Sequence, residues 1–201
     1  MAKKKDLGLE NFEGFDFGSD GNPTEFIPTG YAELDYKIAS GLLHSKDETP
    51  KAGGLPTGSL AMFYGGEGAG KSSLAYRICG SAQRMGKVPI WVDVENSFSE
   101  SLALINGVDL KKIGRKKMFD PANPENVFGG EYALDAVIDA CKKGAGVVVL
   151  DSVGALVPQF VMEKNAEQET MAALARLLGR TVNKICAFAA ANNTLVIFIN
   201  Q

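Results

Sequence analysis

A glycine-rich segment at residues 65–73 contains the residues with the clearest chemical meaning in this sequence. It reads GGEGAGKSS and fits the pattern G-x-x-x-x-G-K-[ST] at every fixed position. Glycines let backbone N–H groups surround phosphate oxygens, and the terminal lysine and hydroxyl reach the outer phosphates and Mg²⁺. A chance match in a glycine-rich turn is the alternative. The segment predicts a phosphate-binding loop made of Gly65, Gly66, Glu67, Gly68, Ala69, Gly70, Lys71, Ser72 and Ser73.

Acidic residues follow two other apolar runs and are candidates for metal binding and catalysis. Asp151 ends one run, where a carboxylate can hold Mg²⁺ together with the Ser72 hydroxyl. Glu95 ends another, and a carboxylate near a γ-phosphate can orient and deprotonate the attacking water. Asp93 is expected on the same side of that strand as Glu95. The alternatives are a turn or capping role for Asp151 and a solvated turn pair for the other two residues.

The apolar runs alternate with helix-period patterns, and this order determines where the chemical residues meet. It predicts an α/β fold with a mostly parallel sheet flanked by helices, in which ligands bind at the carboxyl ends of the strands. Within one predicted helix, Leu34, Ile38 and Leu42 share a face that is expected to contact the core. The predicted strands are 59–64, 88–94, 146–151 and 194–200, and the predicted helices are 71–85, 99–106, 131–143, 168–192 and part of 27–43.

The amino-acid composition excludes several classes of protein. The chain has 201 residues, of which 45% are hydrophobic, and its net charge is −3, so one globular domain fits better than a disordered chain or a bulk polycation. Its single histidine and three scattered cysteines argue against a zinc site or a disulfide framework, and the cysteine usage suggests a cytoplasmic protein. No membrane span or secretory signal is expected. Residues 1–26 are expected to form a polar lead-in, and residues 27–201 the core.

Two basic regions are candidates for contact with nucleic acid. Lys164 lies in a polar segment after the third predicted strand, and Arg176 follows in the long predicted helix. Such a segment beside a nucleotide site can contact a phosphate backbone, although an ordinary exposed loop is the alternative. The cluster at residues 111–117 is interpreted mainly as a solvated charged face.

Several motifs taken together resemble the bacterial-type RecA recombinases. The resemblance covers about residues 27–201, and its most specific part is the combination that ends in FINQ. The motifs are GGLPTGSL at 53–60, GGEGAGKSS at 65–73, DVE at 93–95, VVVLDSVGALVP at 147–158, MAALAR at 171–176 and NTLVIFINQ at 193–201.

The resemblance implies a RecA-like P-loop NTPase core with the activity of a DNA-dependent ATPase. Such a protein binds ATP and Mg²⁺, forms homo-oligomeric filaments on single-stranded DNA and exchanges strands in homologous recombination and DNA repair. A RecA-fold ATPase that is not a recombinase, or a truncated interaction module with little activity, remains an alternative. By motif, the resemblance assigns the binding of ATP and Mg²⁺ to Lys71, Ser72 and Ser73. It assigns water activation to Glu95 and the Walker-B role to Asp151. It also implies that Gln201 couples the γ-phosphate to DNA and that Lys164 and Arg176 contact DNA.

Two departures from the family pattern carry expectations of their own. Leu102 stands where the family usually has a tyrosine that stacks on adenine. The sequence also stops at Gln201, where the second DNA-binding loop of the family would begin, so we expect a fragment, a split-gene product or a truncated form. The strand at 59–64 is then expected at an open, apolar sheet edge, which makes the chain marginally stable alone.

Overall fold

The computed structural model describes residues 25–42, 53–120, 123–164 and 170–200. Its elements alternate as an α/β chain, and the fold class predicted from the sequence is confirmed. The strands are β1 (Phe26–Ile27), β2 (Leu55–Pro56), β3 (Leu60–Tyr64), β4 (Pro89–Asp93), β5 (Gly114–Lys117), β6 (Phe119–Asp120), β7 (Asn123–Val127), β8 (Val147–Asp151) and β9 (Leu195–Asn200). The helices are α1 (Ala32–Leu42), α2 (Lys71–Arg84), α3 (Glu100–Ile105), α4 (Gly130–Lys142), α5 (Gln159–Lys164) and α6 (Thr170–Ala191).

A five-stranded sheet in the order β3-β9-β8-β4-β5 organises these elements, and all its pairings are parallel. The register pairs Asp93 with Asp151 and Tyr64 with Asn200. The carboxyl ends of β3, β9, β8 and β4 therefore meet at one edge of the sheet, as expected for a ligand-binding parallel sheet. β1 with β2, and β6 with β7, form separate antiparallel pairs.

The sheet is covered on both faces, which explains why its central strands read as continuous apolar runs. Val148 and Leu150 of β8 pack in a cluster with residues of α4 and α6, whereas Val149 and Val147 pack in a second cluster with residues of α2. All five residues of β8 are buried. Burial on both faces makes β8 a rigid support for the residues that follow it.

Three features differ from the sequence-based expectation. β5 was missed because its sequence, GRKK, has no apolar run, and the β6–β7 hairpin was not predicted either. The expected core contact of α1 is wrong for Leu34, whose side chain is 37% exposed. α1 contacts the short strand β2 and leaves its outer face to solvent. The Leu42 side chain lies outside the described residues.

Candidate functional site

The glycine-rich segment forms the turn between β3 and α2. Gly68 and Gly70 have φ angles of +73° and +85°, which side chains other than glycine rarely adopt. Gly70 stands at the N-cap of α2 and provides no side chain to bond the first N–H groups of the helix. These N–H groups and the positive end of the helix dipole form a site for an anion.

Lys71 lies folded over the loop that precedes it. Its ammonium group donates hydrogen bonds to the carbonyl oxygens of Gly65, at 2.7 Å, and Gly66, at 2.9 Å. A phosphate group entering the loop would offer this ammonium a charged acceptor, which binds it more strongly than a neutral carbonyl does.

Ser72 and Asp151 join the loop to the end of β8. The Ser72 hydroxyl donates to Asp151 Oδ2 at 3.2 Å, across 79 residues of sequence. Burial raises the pKa of Asp151 to about 6; the Ser72 hydrogen bond opposes this rise, and the charges of Glu95 and Asp93 add to it. A hydroxyl and a carboxylate are hard oxygen ligands of the kind Mg²⁺ uses together with substrate phosphates. The donor set therefore fits Mg²⁺, and binding the cation would favour the ionised form of Asp151.

Glu95 and Asp93, which the sequence predicts on one side of a strand, have different hydrogen-bond partners. β4 ends at Asp93, so strand alternation does not extend to Glu95. Asp93 is buried and accepts hydrogen bonds from the N–H groups of Ser97 and Phe98, which fixes the following loop. Glu95 is exposed and accepts a hydrogen bond from the Ser152 hydroxyl. The expectation of a shared side stays a prediction, and Asp93 supports the loop that carries Glu95.

An aromatic cluster of Tyr76, Trp91 and Phe98 packs at the loop that carries Glu95. The rings of Tyr76 and Trp91 stack with centroids 4.3 Å apart, and Phe98 contacts both rings edge-on. The Tyr76 hydroxyl accepts a hydrogen bond from the Ser99 N–H at 3.0 Å, and burial raises the pKa of Tyr76 to about 12. The loop from Glu95 to Ser99 is thus held at its backbone by two independent acceptors, Asp93 and Tyr76.

A cavity of about 350 Å³ lies between the glycine-rich loop and the ends of β4 and β8. Its lining includes Glu67 to Ser73 of the loop, together with Glu95, Asp151 and Leu102. Gly65 and Gly66 do not line this cavity, but their carbonyl oxygens accept hydrogen bonds from Lys71, which does. A cavity of about 580 Å³ between β5 and α4 lies outside this cluster of chemical residues.

Other predicted residues lie away from the cavity or outside the described part of the chain. Gln201 and residues 165–169 are not described, and α5 ends at Lys164, whose side chain is not described either. Arg176 is exposed on α6. The basic cluster contributes to β5, where Arg115 lies over the Phe98 ring and bonds to Glu100. The structure brings together the loop, Glu95 and Asp151, and Arg176, the DNA candidate whose side chain is described, does not line their cavity.

Sequence reasoning gave no role to Ser152, although this residue contacts Glu95. A serine directly after a strand-ending aspartate is ordinary turn chemistry. The contact becomes visible only when the register of β4 and β8 is known.

The family described as the RecA N-terminal domain matches residues 31–201 of this chain. The chain belongs to this RecA family. The match covers β3, β4, β8 and β9, and so includes every strand whose end contributes to the cavity.

Proteins named RecA are similar to this RecA-family chain over most of its length. Protein RecA of Chlorobium chlorochromatii (strain CaD3) is 33% identical over 201 residues, which is 100% of this chain and 51% of that protein. Protein RecA of Thermus thermophilus is 35% identical over 178 residues, or 88% of this chain and 46% of that protein. The chain spans about half the length of the curated relatives it matches. Among the helices that the structure describes, none has the length and apolar character needed to cross a membrane.

Proposed function

We propose that this RecA-family protein binds ATP with Mg²⁺ at the glycine-rich loop and hydrolyses it in a DNA-dependent reaction. One observation carries the proposal: Ser72 of the loop, Asp151 of β8 and Glu95 after β4 line one cavity at the carboxyl edge of the sheet. Phosphate-binding loops occur in many proteins, but the combination with two carboxylates at neighbouring strand ends is suited to hydrolysis of a nucleotide.

Each residue has a role that follows from its place in the cavity. The N–H groups at the start of α2 and the Lys71 ammonium bind the phosphates, and Ser72 and Asp151 hold Mg²⁺, which offsets phosphate charge when bound. The Glu95 carboxylate orients a water molecule and accepts its proton. Leu102 lines the same cavity and is the proposed apolar contact for the base, in place of an aromatic ring.

We also propose that the protein acts in homologous recombination and repair as a homo-oligomeric filament on single-stranded DNA. The names of the relatives and the family match support this proposal. Arg176 and Lys164 are the proposed DNA contacts, and Gln201 is the proposed link between the γ-phosphate and DNA. Weaker binding of a labelled single-stranded oligonucleotide by Arg176→Ala than by Lys143→Ala would support the assignment, and equal binding would contradict it.

Hydrolysis under single-turnover conditions, with protein in excess over ATP and with or without single-stranded DNA, tests the enzymatic proposal. Glu95→Gln is expected to lower the rate by about a hundredfold or more, because a positioned base contributes about 10²–10⁴ in rate. Lys143→Ala is the matched control, since Lys143 is exposed and pairs with Asp139. Equal rates for Glu95→Gln and the parent protein would contradict the assignment.

An interaction module with little activity is the second candidate, and the exposed edge of β3 favours it. Met62 and Tyr64 on this strand are 50% and 81% exposed. Unchanged behaviour of Lys71→Ala in every nucleotide and DNA assay would support this alternative over the ATPase.

A further inference from the structure

Ser152 is a buried residue whose hydroxyl contacts the carboxylate proposed to activate water. Its side chain is only 2% exposed, and its hydroxyl donates a hydrogen bond to Glu95 Oε1. A 3₁₀ turn, Val153–Ala155, begins directly after Ser152, yet the Ser152 side chain makes no capping hydrogen bond to this turn. The common structural use of a serine at this position is therefore absent, and the hydroxyl is directed at Glu95 instead.

The backbone places these two residues opposite each other. Asp93 pairs with Asp151 in the sheet, and the next hydrogen bond runs from the Val94 N–H to the Asp151 carbonyl at 2.7 Å. Glu95 follows Val94, and Ser152 follows Asp151. The same strand end thus presents two neighbouring side chains to the site: Asp151, which contacts Ser72, and Ser152, which contacts Glu95.

We propose that Ser152 is a positioning residue that holds the Glu95 carboxylate in its working orientation. Glu95 is exposed and follows the end of β4, so its side chain is free to rotate unless a partner restrains it. A hydrogen bond from a neutral hydroxyl restrains one carboxylate oxygen and leaves the other to accept a proton. This inference rests on the proposed ATPase function, because it assigns Ser152 a role that acts through Glu95.

The kinetic test compares Ser152→Ala with the parent protein under single-turnover conditions. The rate at saturating ATP is expected to fall about tenfold or more, the size of effect that one hydrogen bond to a charged group produces. The dissociation constant for ATP with Mg²⁺ and the melting temperature are expected to stay close to the parent values. Ser59→Ala is the matched control, because its hydroxyl bonds to the Pro56 carbonyl outside the site. A parent-like rate for Ser152→Ala would overturn the inference.

A double-mutant cycle separates positioning from a general structural role. If Ser152 acts through Glu95, Ser152→Ala is expected to cause no further loss of rate in the Glu95→Gln background. A full additional loss in that background would overturn the inference. A parent-like rate for Glu95→Gln itself would instead contradict the proposed function, so the two failures are distinguishable.

Hydrogen exchange provides a readout that needs no turnover. Glu95, Ser97 and Phe98 lie on one loop, and the N–H groups of Ser97 and Phe98 bond to Asp93. Because Asp93 and Tyr76 hold the backbone of this loop, Ser152→Ala is expected to leave amide exchange across residues 97–99 close to that of the parent protein, as in Ser59→Ala. Exchange that speeds several-fold across these residues in Ser152→Ala alone would show a general structural role for Ser152 and overturn the inference.

Discussion

Asp151 shows how a residue suited to a bound cation becomes costly when its charge is uncompensated. The carboxylate is buried, the charges of Glu95 and Asp93 also disfavour its ionisation, and the single hydrogen bond from Ser72 offsets this only in part. Its pKa is therefore raised from 3.8 to about 6. Functional sites often contain such groups, because the ligand supplies the compensating charge.

This shift predicts how stability depends on pH without nucleotide or Mg²⁺. Between pH 3.8 and about 6 the folded state holds a proton on Asp151 that the unfolded state has released, so the Asp151 contribution to the free energy of unfolding falls as pH rises. Asp151→Asn removes this contribution. At pH 7 we expect the variant to be more stable by about 1–3 kcal/mol in EDTA.

Urea unfolding of both proteins across pH 4–7 measures this difference. The gap between the variant and the parent protein is expected to widen as pH rises and to level off above pH 7. A gap that does not change with pH would contradict the role assigned to Asp151 burial.

Residue types alone indicated much of the candidate site, but not its internal contacts. The glycine-rich loop, Glu95 and Asp151 were identified because each follows an apolar run and carries a group with a defined chemistry. The roles of Asp93 and Ser152 could not be found this way, since each depends on strand register and loop direction. The catalytic roles of Lys71, Glu95 and Gln201 stay predictions.

At the level of elements, a glycine of α2 determines how closely this helix packs against the backbone that follows α3. A side chain at Gly80 of α2 would place its Cβ 2.7 Å from the carbonyl oxygen of Gly107, just after α3. The contact involves backbone atoms, which cannot rotate away as a side chain can. α2 and α3 therefore approach closely only because residue 80 is glycine.

A pair of glycine substitutions tests this contact. Gly80→Ala is expected to lower the free energy of unfolding by about 1–3 kcal/mol, the usual cost of overpacking. Gly179→Ala on α6 is the matched control, because no atom lies within 4 Å of its added Cβ, and it is expected to raise stability by about 0.5–1 kcal/mol. Thermal or urea unfolding of both variants measures the effect, and equal shifts in the same direction would contradict the packing described.

The elements that the sequence predicted are those with a strong apolar pattern. β8 and β9 are buried on both faces, and their composition follows from this burial. β5 contains three consecutive cations, Arg115, Lys116 and Lys117, and each lies over an aromatic ring. Such charges suit an edge strand, where they discourage pairing with another chain, but they give no apolar signal.

For the whole molecule, the two edges of the sheet differ in character. β5 carries Arg115, Lys116 and Lys117, whereas β3 carries Met62 and Tyr64 with large exposed fractions. The sequence predicted that β3 lies at an edge, and the strand order of the described residues confirms this. The predicted marginal stability of the chain stays a prediction.

The apolar edge predicts self-association that depends on concentration. Met62→Lys is expected to reduce association, because a charged side chain opposes strand pairing at an edge. Met85→Lys is the matched control, since Met85 is 39% exposed at the end of α2. Sedimentation velocity over a range of concentrations measures the effect. A parent protein that stays monomeric throughout would contradict this prediction.

Calorimetric titration of the folded protein with ATP and Mg²⁺ tests the central claim most directly. We expect saturable heat for the parent protein and parent-like binding for Lys143→Ala. Lys71→Ala is expected to bind at least tenfold more weakly, because a charge-assisted contact to phosphate is lost. Folded parent protein that gives no heat, or parent-like binding by Lys71→Ala, would contradict nucleotide binding at the glycine-rich loop.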